Sequence, residues 1–281
     1  MQISNDFLTA VFKKKGAELC SLMHNKTKAE YIWQADPQWW PRHAPVLFPI
    51  VGKLKNNEYK FHGRTFQMGQ HGFARDMEFV VLDHQSDSVT FLLKSNDETM
   101  VNYPFRFEFY IEYKLVVSRL ETTFLVINKG LEALPFSFGG HPAFNADPIQ
   151  DYFLTFDKAL PPDVYGLKNG LIASDLVHSL TGETLWLSED IFDNDALIFV
   201  DTNQTRITLN HVENGPVLTL NTGDFPHLGI WSKPKAPFVC LEPWQGTADW
   251  ENTDGNILNK KGIILLKPEE DYSAGFSIEA C

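Results

Sequence analysis

The sequence has 281 residues, of which 43% are hydrophobic and 13% aromatic, and its formal net charge is −12. This length and apolar content allow a large buried core, in one all-β domain or in two smaller ones. So acidic a chain lacks the basic surface that attracts phosphate backbones and anionic lipids, so neither a nucleic acid nor a membrane is expected as a partner. No apolar run approaches the ~20 residues of a membrane-spanning helix.

The amino-terminal stretch and the cysteines indicate where the protein works. "MQISNDFLTAVFKKKG" has no basic segment followed by an apolar core, so no secretory signal is predicted. Cys20, Cys240 and Cys281 are odd in number and far apart, which fits neither a disulfide framework nor a zinc-binding spacing. We therefore predict a soluble protein of a reducing compartment, most simply the cytoplasm.

Short segments rich in β-branched and aromatic residues follow one another along nearly the whole chain and predict strands. In chain order they are "FLTAVFKK", "AEYIWQ", "EYKFHGRTFQM", "MEFVVLDH", "SVTFLLKS", "FRFEFYIEYKLVV", "LETTFLVINKG", "YFLTFDK", "ALIFVD", "RITLNH", "VLTLNT", "LGIWSK" and "GIILLKPE". Turn formers such as "NKG", "ADP", "PPD", "ENGP" and "NTGD" separate them. A hairpin is predicted around His62-Gly63, and one short helical turn in "ETMVNYPF" before Pro104.

No repeat of fixed period, low-complexity segment or Gly/Ser linker interrupts this series of strands. The sequence therefore predicts an all-β protein with a single domain over residues 1–281, built as one large antiparallel β-sandwich. In such a fold, function is expected in the loops and on one concave sheet face.

Several common chemistries have no motif in the chain. There is no G-x-S-x-G nucleophile elbow and no Gly-rich phosphate loop before a helix. The nine histidines form no H-x-H or H-E-x-x-H pair, so a metal site would need ligands scattered through the fold. No metal or cofactor is predicted, and dispersed acid–base groups on a β scaffold remain.

Two ionisable residues share an unusual local setting, because His141 and Glu242 each precede a proline. A following proline excludes the helical region and holds the preceding residue extended. Trp244 places a flat apolar surface, of the kind that stacks on sugar rings, beside Glu242. Taken singly, such a histidine is more often a hydrogen-bonded structural residue and such a glutamate a solvated one. Their matching geometry makes both candidates for catalysis.

The blocks "FSFGGHPAFN" and "CLEPWQGTADW", with "PVLFPIVGKLKNNEY" and "MGQHGFARDMEF" upstream, resemble the aldose 1-epimerase (galactose mutarotase) family. The similarity runs through nearly the whole chain and is greatest to the branch associated with bacterial lactose operons. The resemblance implies a β-supersandwich that binds an aldose and interconverts its α and β anomers, without a metal or redox cofactor.

The resemblance also assigns roles to residues. It makes Glu242 the general base and His141 the general acid, with His71 assisting in sugar binding. The family's substrate-binding arginine falls on Lys53. The ammonium of a lysine cannot make the two parallel hydrogen bonds that a planar guanidinium makes, so the usual bidentate contact to sugar hydroxyls is in question. The family's hydroxyl-binding aspartate falls within "IFDNDALIF", where Asp195 fits the alternation of the following strand and is assigned to this role, although Asp193 fits almost as well.

The chemistry of anomerisation suits these residue types. Opening a cyclic hemiacetal removes the proton of the anomeric hydroxyl while the ring oxygen is protonated. Each positioned proton transfer typically contributes ~10²–10⁴-fold. A modest upward shift of the pKa of His141, caused by a nearby carboxylate, would suit the acid.

Other residues admit two interpretations. Arg75 in "HGFARD" reaches either a substrate oxygen or phosphate, or forms an ion pair with Asp76 or another acid. Trp39 and Trp40 form either a sugar-stacking platform or a loop anchor packed on the core.

Three classes of function compete. The first, which we favour, is a mutarotase that takes a free aldose. Within this first class a sugar phosphate is the alternative substrate, because the "HGFAR" block is shared with hexose-6-phosphate mutarotases and because Lys53 and Arg75 supply two cations. The second class is a non-catalytic carbohydrate-binding module. The third is a glycoside hydrolase, which needs a second carboxylate such as Asp193, Asp195 or Asp249. The sequence is compatible with either a monomer or a homodimer.

Overall fold

Strands dominate the structure, as the sequence predicts. The computed structural model describes residues 1–160, 164–178, 180–202 and 204–281, with the backbone alone for 175–178. The turn predicted at "PPD", residues 161–163, lies outside the described residues. Among the helices of the described ranges, none is long and apolar enough to cross a membrane.

The strands of the described residues are numbered here in chain order. The first half contains β1 (Gln2–Ser4), β2 (Leu8–Phe12), β3 (Leu19–His24), β4 (Val46–Leu47), β5 (Glu58–Phe61), β6 (Arg64–Gln67), β7 (Val80–His84), β8 (Ser88–Lys94), β9 (Phe107–Val116), β10 (Arg119–Asn128), β11 (Leu134–Phe136) and β12 (Gly139–Gly140). The second half contains β13 (Ala143–Asn145), β14 (Tyr152–Phe156), β15 (Val164–Lys168), β16 (Leu171–His178), β17 (Thr184–Trp186), β18 (Leu197–Phe199), β19 (Arg206–His211), β20 (Gly215–Asn221), β21 (His227–Trp231), β22 (Phe238–Trp244), β23 (Ile264–Leu266) and β24 (Asp271–Ala280). The helical elements are α1 (Asp97–Asn102) and 3-10 turns at Lys55–Asn57, Ala74–Asp76, Ile149–Asp151 and Ile257–Asn259.

Two large sheets form the framework. One has nine strands in the order β17-β14-β19-β20-β24-β10-β9-β8-β7. The other has eight, in the order β16-β15-β18-β21-β22-β12-β4, with β13 added beside β22. Smaller sheets join β1-β2-β3, β5-β6 and β11-β23. The long pairings are antiparallel, which confirms the predicted all-β antiparallel fold.

The main core lies between the two large sheets. Phe124 of β10 meets Phe138 with ring centroids 5.3 Å apart, and Phe156 of β14 meets Phe199 of β18 at 6.0 Å. Aromatic pairs at these distances contribute about 0.5–1.5 kcal/mol each beyond the area they bury. Phenylalanine side chains, which are abundant in the sequence, therefore pack the two sheets against each other.

Strand β22 divides its side chains between this core and the opposite face of the eight-stranded sheet. Successive side chains of a strand alternate between the two faces. Val239 and Leu241 belong to the core between the sheets, whereas Cys240 and Trp244 belong to clusters on the other face. All seven residues of β22 are buried, so both faces are covered. Glu242, between Cys240 and Trp244, is thereby placed in a covered site outside the main core.

Two local predictions are confirmed. The hairpin joins β5 to β6 through His62 (φ 47°) and Gly63 (φ 73°), a two-residue turn with positive φ at both positions. Helix α1 is the predicted short turn. It begins after Asn96, whose side chain accepts the Thr99 backbone N–H, and it ends before Pro104.

Candidate active site

A cavity of about 300 Å³ lies on the outer face of the eight-stranded sheet. Six of the residues selected from the sequence line it, namely His71, Arg75, His141, Asp195, Glu242 and Trp244. The remaining walls come from Trp40, Gly52, Gln70, Leu167, Gly170, Ile172, Ala196, Ile198, Trp231 and Ala248. The cavity thus combines ionisable groups with apolar and aromatic surface, the usual composition of a small-molecule site.

A buried imidazole–carboxyl pair occupies this cavity. His141 Nε2 lies 3.2 Å from Glu242 Oε2, and the two side chains are 9% and 2% exposed. Neither His141 Nδ1 nor Glu242 Oε2 has an aligned hydrogen-bond partner among the described residues. Gly139 permits this approach, because it pairs with Trp244 in the sheet and a Cβ there would lie 2.7 Å from the indole. Two ionisable groups are therefore buried together with free hydrogen-bonding capacity.

Burial shifts the pKa values of this pair in opposite directions. It raises the pKa of Glu242 well above its usual range, which the indole of Trp244 opposes only in part. It lowers the pKa of His141 to about 3, and the positive charge of Arg75 adds to this effect. The upward shift of the His141 pKa considered from the sequence is therefore wrong, because loss of solvent outweighs the opposing effects of a backbone hydrogen bond and of Glu18. Although the two atoms lie at ion-pair distance, both shifts favour the neutral forms of the pair, a carboxylic acid and an uncharged imidazole.

Aromatic rings fix the orientation of His141. Trp40 stacks on its imidazole with centroids 4.9 Å apart, and Trp231 and His71 meet it edge-on at 6.0 and 5.5 Å. Trp40 also packs on Phe238 at 5.8 Å. Trp40 therefore packs as a loop anchor, as one of its two interpretations predicts, and it also forms a wall of the cavity. These rings also exclude water from His141, which is the cause of its low pKa.

His71 is held in a strained backbone conformation with φ 65°. Its Nδ1 accepts the Gly52 N–H at 3.1 Å, and its own backbone N–H donates to Gly52 O at 2.8 Å. Because Nδ1 is an acceptor, the neutral ring carries its proton on Nε2. Burial, reinforced by His141 and Arg75, lowers the pKa of His71 and keeps the ring neutral. His71 Nε2–H consequently faces the cavity wall, where Nε2 lies 3.3 Å from the side-chain amide of Gln70.

Arg75 lines the cavity and also lies near Asp76, the acid considered for an ion pair with it. Its Nη2 donates to Gln70 O at 2.7 Å, and its Nε lies 3.7 Å from Asp76 Oδ2. Asp76 is closer to Arg42, at 3.1 Å. The buried Arg75 Nε has no hydrogen-bond partner within the described ranges. Arg75 therefore retains donor capacity at the cavity wall.

A second groove, of about 260 Å³, adjoins the cavity through Arg75. It is lined by four cationic side chains and two carboxylates: Lys13, Lys15, Arg42 and Arg75, with Glu18 and Asp76. Cations outnumber acids there, although the whole chain carries a net charge of −12.

The structure separates Asp195 from Asp193. Asp195 lines the cavity, is exposed, and accepts the Ala196 N–H on Oδ1 at 2.9 Å. Partial loss of solvent around the Asp195 carboxyl raises its pKa. Asp193 is exposed and does not line the cavity. Asp195 and Glu242 are thus the two carboxylates among the cavity-lining residues that the structure describes.

Lys53 is not brought to the cavity. Its Nζ donates to Asn169 O at 3.0 Å. Its stem runs behind Gly170, where an added Cβ would lie 2.8 Å from Lys53 Cδ. Of the two cations expected near the substrate, Arg75 therefore lines the cavity and Lys53 does not.

A buried ion pair behind the wall has no clear signal in the sequence. Lys260 Nζ lies 2.8 Å from Asp249 Oδ1, and the side chains are 3% and 4% exposed. The other carboxylate oxygen accepts the Lys55 N–H at 2.9 Å, while the Asp249 backbone bonds to Lys53 O and to the N–H of Ile172. Asp249, considered above as a second acid for glycoside hydrolysis, instead ties three segments of the wall together.

The antiparallel two-sheet architecture is that of the galactose mutarotase-like proteins. A galactose mutarotase related enzyme from Lactobacillus acidophilus superposes with a TM-score of 0.94 at 38% identity, covering 100% of this chain and 97% of that one. A galactose mutarotase-like protein from Lactobacillus casei gives a TM-score of 0.91 at 31% identity, covering 100% and 99%.

Sequence comparison gives the family. The family model for aldose 1-epimerase matches residues 1–278, and the chain belongs to this family. The chromosomal protein LacX of Lactococcus lactis subsp. lactis is 35% identical over 277 residues, covering 93% of this chain and 92% of LacX. The resemblance seen in the motifs is thereby confirmed over the length of the chain.

Proposed function

We propose that this protein is an aldose 1-epimerase that interconverts the α and β anomers of a hexose by general acid–base catalysis. The observation that carries the proposal is the buried pair of His141 and Glu242, 3.2 Å apart in a cavity of about 300 Å³. Family membership supports an isomerase acting on a small sugar. The geometry adds that two proton-transfer groups lie side by side in the cavity and retain hydrogen-bonding capacity.

The reaction needs one base and one acid at the anomeric centre. The base takes the proton of the anomeric hydroxyl, the acid protonates the ring oxygen, and the C1–O5 bond breaks to give an aldehyde. Rotation about C1–C2 and reclosure from the other face give the other anomer, and the two protons return. We assign the base to Glu242 and the acid to His141, as the family resemblance implies.

The pair can perform both transfers because it holds one proton. Moving that proton from Glu242 to His141 converts a neutral pair into a carboxylate and an imidazolium without changing the net charge of the site. A bound sugar favours this form by donating its anomeric hydroxyl to Glu242 Oε2, which has no aligned partner within the described residues. Because the two groups are coupled, these two protonation states are properties of the pair and not of either residue alone.

Neighbouring groups would orient the sugar. We assign to the Nε2–H of His71 a hydrogen bond to a hydroxyl, and to the carboxylate of Asp195 the acceptance of another. Trp244 and Trp231 offer apolar surface to the ring carbons. Such fixed contacts reduce the entropic cost of reaching the reactive geometry.

A hexose phosphate is a second candidate substrate, favoured by a specific observation. Arg75 joins the cavity to the groove that Lys13, Lys15 and Arg42 also line. Arginine and lysine at close range bind phosphate through charge-assisted hydrogen bonds. The free aldose remains the first candidate, because the overall charge of −12 gives no long-range attraction to an anion.

Exchange NMR on anomeric mixtures of glucose, galactose and their 6-phosphates tests the proposal. We expect faster α/β interconversion of at least one of these sugars, unaffected by chelators or nicotinamide cofactors. No acceleration with any of them would reject the isomerase and leave a carbohydrate-binding module. Release of phenol from aryl glycosides would instead favour a hydrolase.

The same measurement distinguishes the two substrate classes. A preference of ~100-fold for the phosphate corresponds to about 2.7 kcal/mol. If that preference weakens with salt and is lost in Arg42→Gln or Arg75→Met, the phosphate is the substrate. Equal or better turnover of the free sugar at both salt concentrations favours the free aldose.

A further inference from the structure

A third metal-ligating side chain lies buried beside the acid–base pair. A ring nitrogen of His141, the thiol sulfur of Cys240 and a carboxylate oxygen of Glu242 all lie within 4.8 Å of one another, and all three residues are buried. Cys240 and Glu242 are two residues apart on β22, so their side chains leave the same face of the strand. Histidine, cysteine and a carboxylate together are a zinc ligand set.

The separations suit a small divalent cation. Zinc bonds of about 2.0–2.1 Å to nitrogen and oxygen place two tetrahedral ligand atoms about 3.3 Å apart. His141 Nε2 and Glu242 Oε2 are 3.2 Å apart before any metal is considered. Glu242 Oε2 also has no aligned hydrogen-bond partner within the described part of the chain. The cluster therefore has both the spacing and the free donor atoms that a cation requires.

A second cluster of the same composition provides an internal comparison. Ligand atoms of Glu18, Cys20 and His43 also lie within 4.8 Å of one another. In that cluster Lys13 Nζ lies 3.3 Å from both Glu18 Oε2 and His43 Nδ1. Glu18 also accepts the backbone N–H of His43 at 2.7 Å. An ammonium group and an amide already satisfy those ligands, so a dication would meet repulsion there.

We propose that His141, Cys240 and Glu242 form an inhibitory binding site for zinc or a similar borderline-soft divalent cation. Binding releases two protons, one from the thiol and one from the shared pair, and leaves a neutral imidazole, a thiolate and a carboxylate on the metal. The fourth position faces the cavity and takes water. With both proton-transfer groups coordinated, the acid–base reaction stops. Magnesium and calcium, which prefer all-oxygen ligands, do not bind.

The test begins with binding in the absence of sugar, on chelator-treated full-length protein. Zinc affinity is measured by competition with a chromophoric indicator, and cobalt is added to report a thiolate-to-metal absorption band. We expect the wild type and Cys20→Ala to bind zinc and to show the band with cobalt. Cys240→Ala and Cys240→Ser should lose the band and more than about 100-fold in affinity, since loss of an outer-shell partner alone costs 10–100-fold.

Activity provides the second readout. Zinc should inhibit the wild type and Cys20→Ala in competition with sugar, and excess chelator should restore the rate. Wild-type affinity or a retained cobalt band in the Cys240 variants would overturn the proposal, as would loss of binding in Cys20→Ala. The inhibition depends on the proposed function, but the binding and the absorption band do not, so failure of one is distinguishable from failure of the other. Circular dichroism verifies that each variant is folded. Two different Cys240 substitutions are used so that the test can still be read if one of them misfolds.

Discussion

Two buried acid–base pairs of the molecule differ in how their hydrogen-bonding groups are engaged. Lys260 and Asp249, 2.8 Å apart, have both carboxylate oxygens engaged, one by the ammonium and one by a backbone N–H. His141 and Glu242, 3.2 Å apart, keep atoms without an aligned partner among the described residues. Burial alone therefore does not make a site reactive. A buried pair becomes reactive when it also keeps unused hydrogen-bonding capacity that faces a cavity.

The same difference is seen in the protonation of the pairs. Burial lowers the pKa of Lys260, but the charge of Asp249 and its hydrogen bond oppose the shift, and the ion pair persists. At His141, burial and Arg75 act together and leave the ring neutral. The first pair is a fixed structural link, and the second is a pair within which one proton can move.

The largest expected effect is the loss of turnover when the reactive pair is broken. Glu242→Gln keeps the shape but cannot accept the anomeric proton, and His141→Asn cannot supply one. Each should lower kcat by about 10²–10⁴-fold. The double variant should be little worse than either single variant, because the two groups act as a unit. Steady-state polarimetry of both anomers measures this, and multiplicative losses would show that the residues act independently.

Breaking the structural pair should affect stability. Lys260→Met or Asp249→Asn leaves one buried charge without its partner, which costs about 3–5 kcal/mol. The double variant Lys260→Met/Asp249→Leu should recover much of this loss. Urea unfolding gives the free energies of unfolding, and Glu242→Gln is the matched control, expected to lose little. A cost below 1 kcal/mol in the single variants would contradict the structural role.

His71→Asn should have a smaller effect than either change in the reactive pair. It removes one fixed N–H donor to the sugar, and a hydrogen bond of this kind contributes about 0.5–1.5 kcal/mol. We expect kcat/KM to fall by no more than about tenfold, with most of the catalytic rate retained at saturating sugar. A loss as large as that of Glu242→Gln would place His71 among the proton-transfer groups.

The smallest expected effect is that of mild acid on the rate. Since the pKa of His141 is lowered to about 3, the pair takes up a second proton only near pH 3, and activity is lost as the pH falls through that value. The raised pKa of Glu242 extends the one-proton form upward in pH. The pH profile of kcat/KM reports the free enzyme. We expect similar values at pH 5 and pH 7, whereas a decline centred near 6.5 would contradict the shift.

The sequence predicts the fold well because alternation and turn residues are local properties. Strand β22 is an example: Val239 and Leu241 face the main core, and Glu242 faces the other side. The positions of His141 and Glu242 could also be selected, because a following proline is visible in the sequence. Their approach to 3.2 Å depends on the pairing of β12 with β22, which is a long-range property.

Other features of the site could not be predicted for the same reason. The pKa of His141 depends on rings from distant segments, Trp40 and Trp231. Asp249 and Lys260 lie in an irregular segment where no periodicity marks a pair. Aligning Lys53 with the family's arginine did not reveal that its side chain passes behind Gly170.

The central claim is that the pair of His141 and Glu242 catalyses anomer interconversion in a site with no requirement for a metal. Two-dimensional exchange NMR of glucose, galactose and their 6-phosphates tests it most directly, with equal concentrations of wild type and Glu242→Gln in excess chelator. We expect α/β cross-peaks above the buffer rate for at least one sugar with the wild type, and their near absence with Glu242→Gln. Equal exchange with both proteins, or none with the wild type, would contradict it.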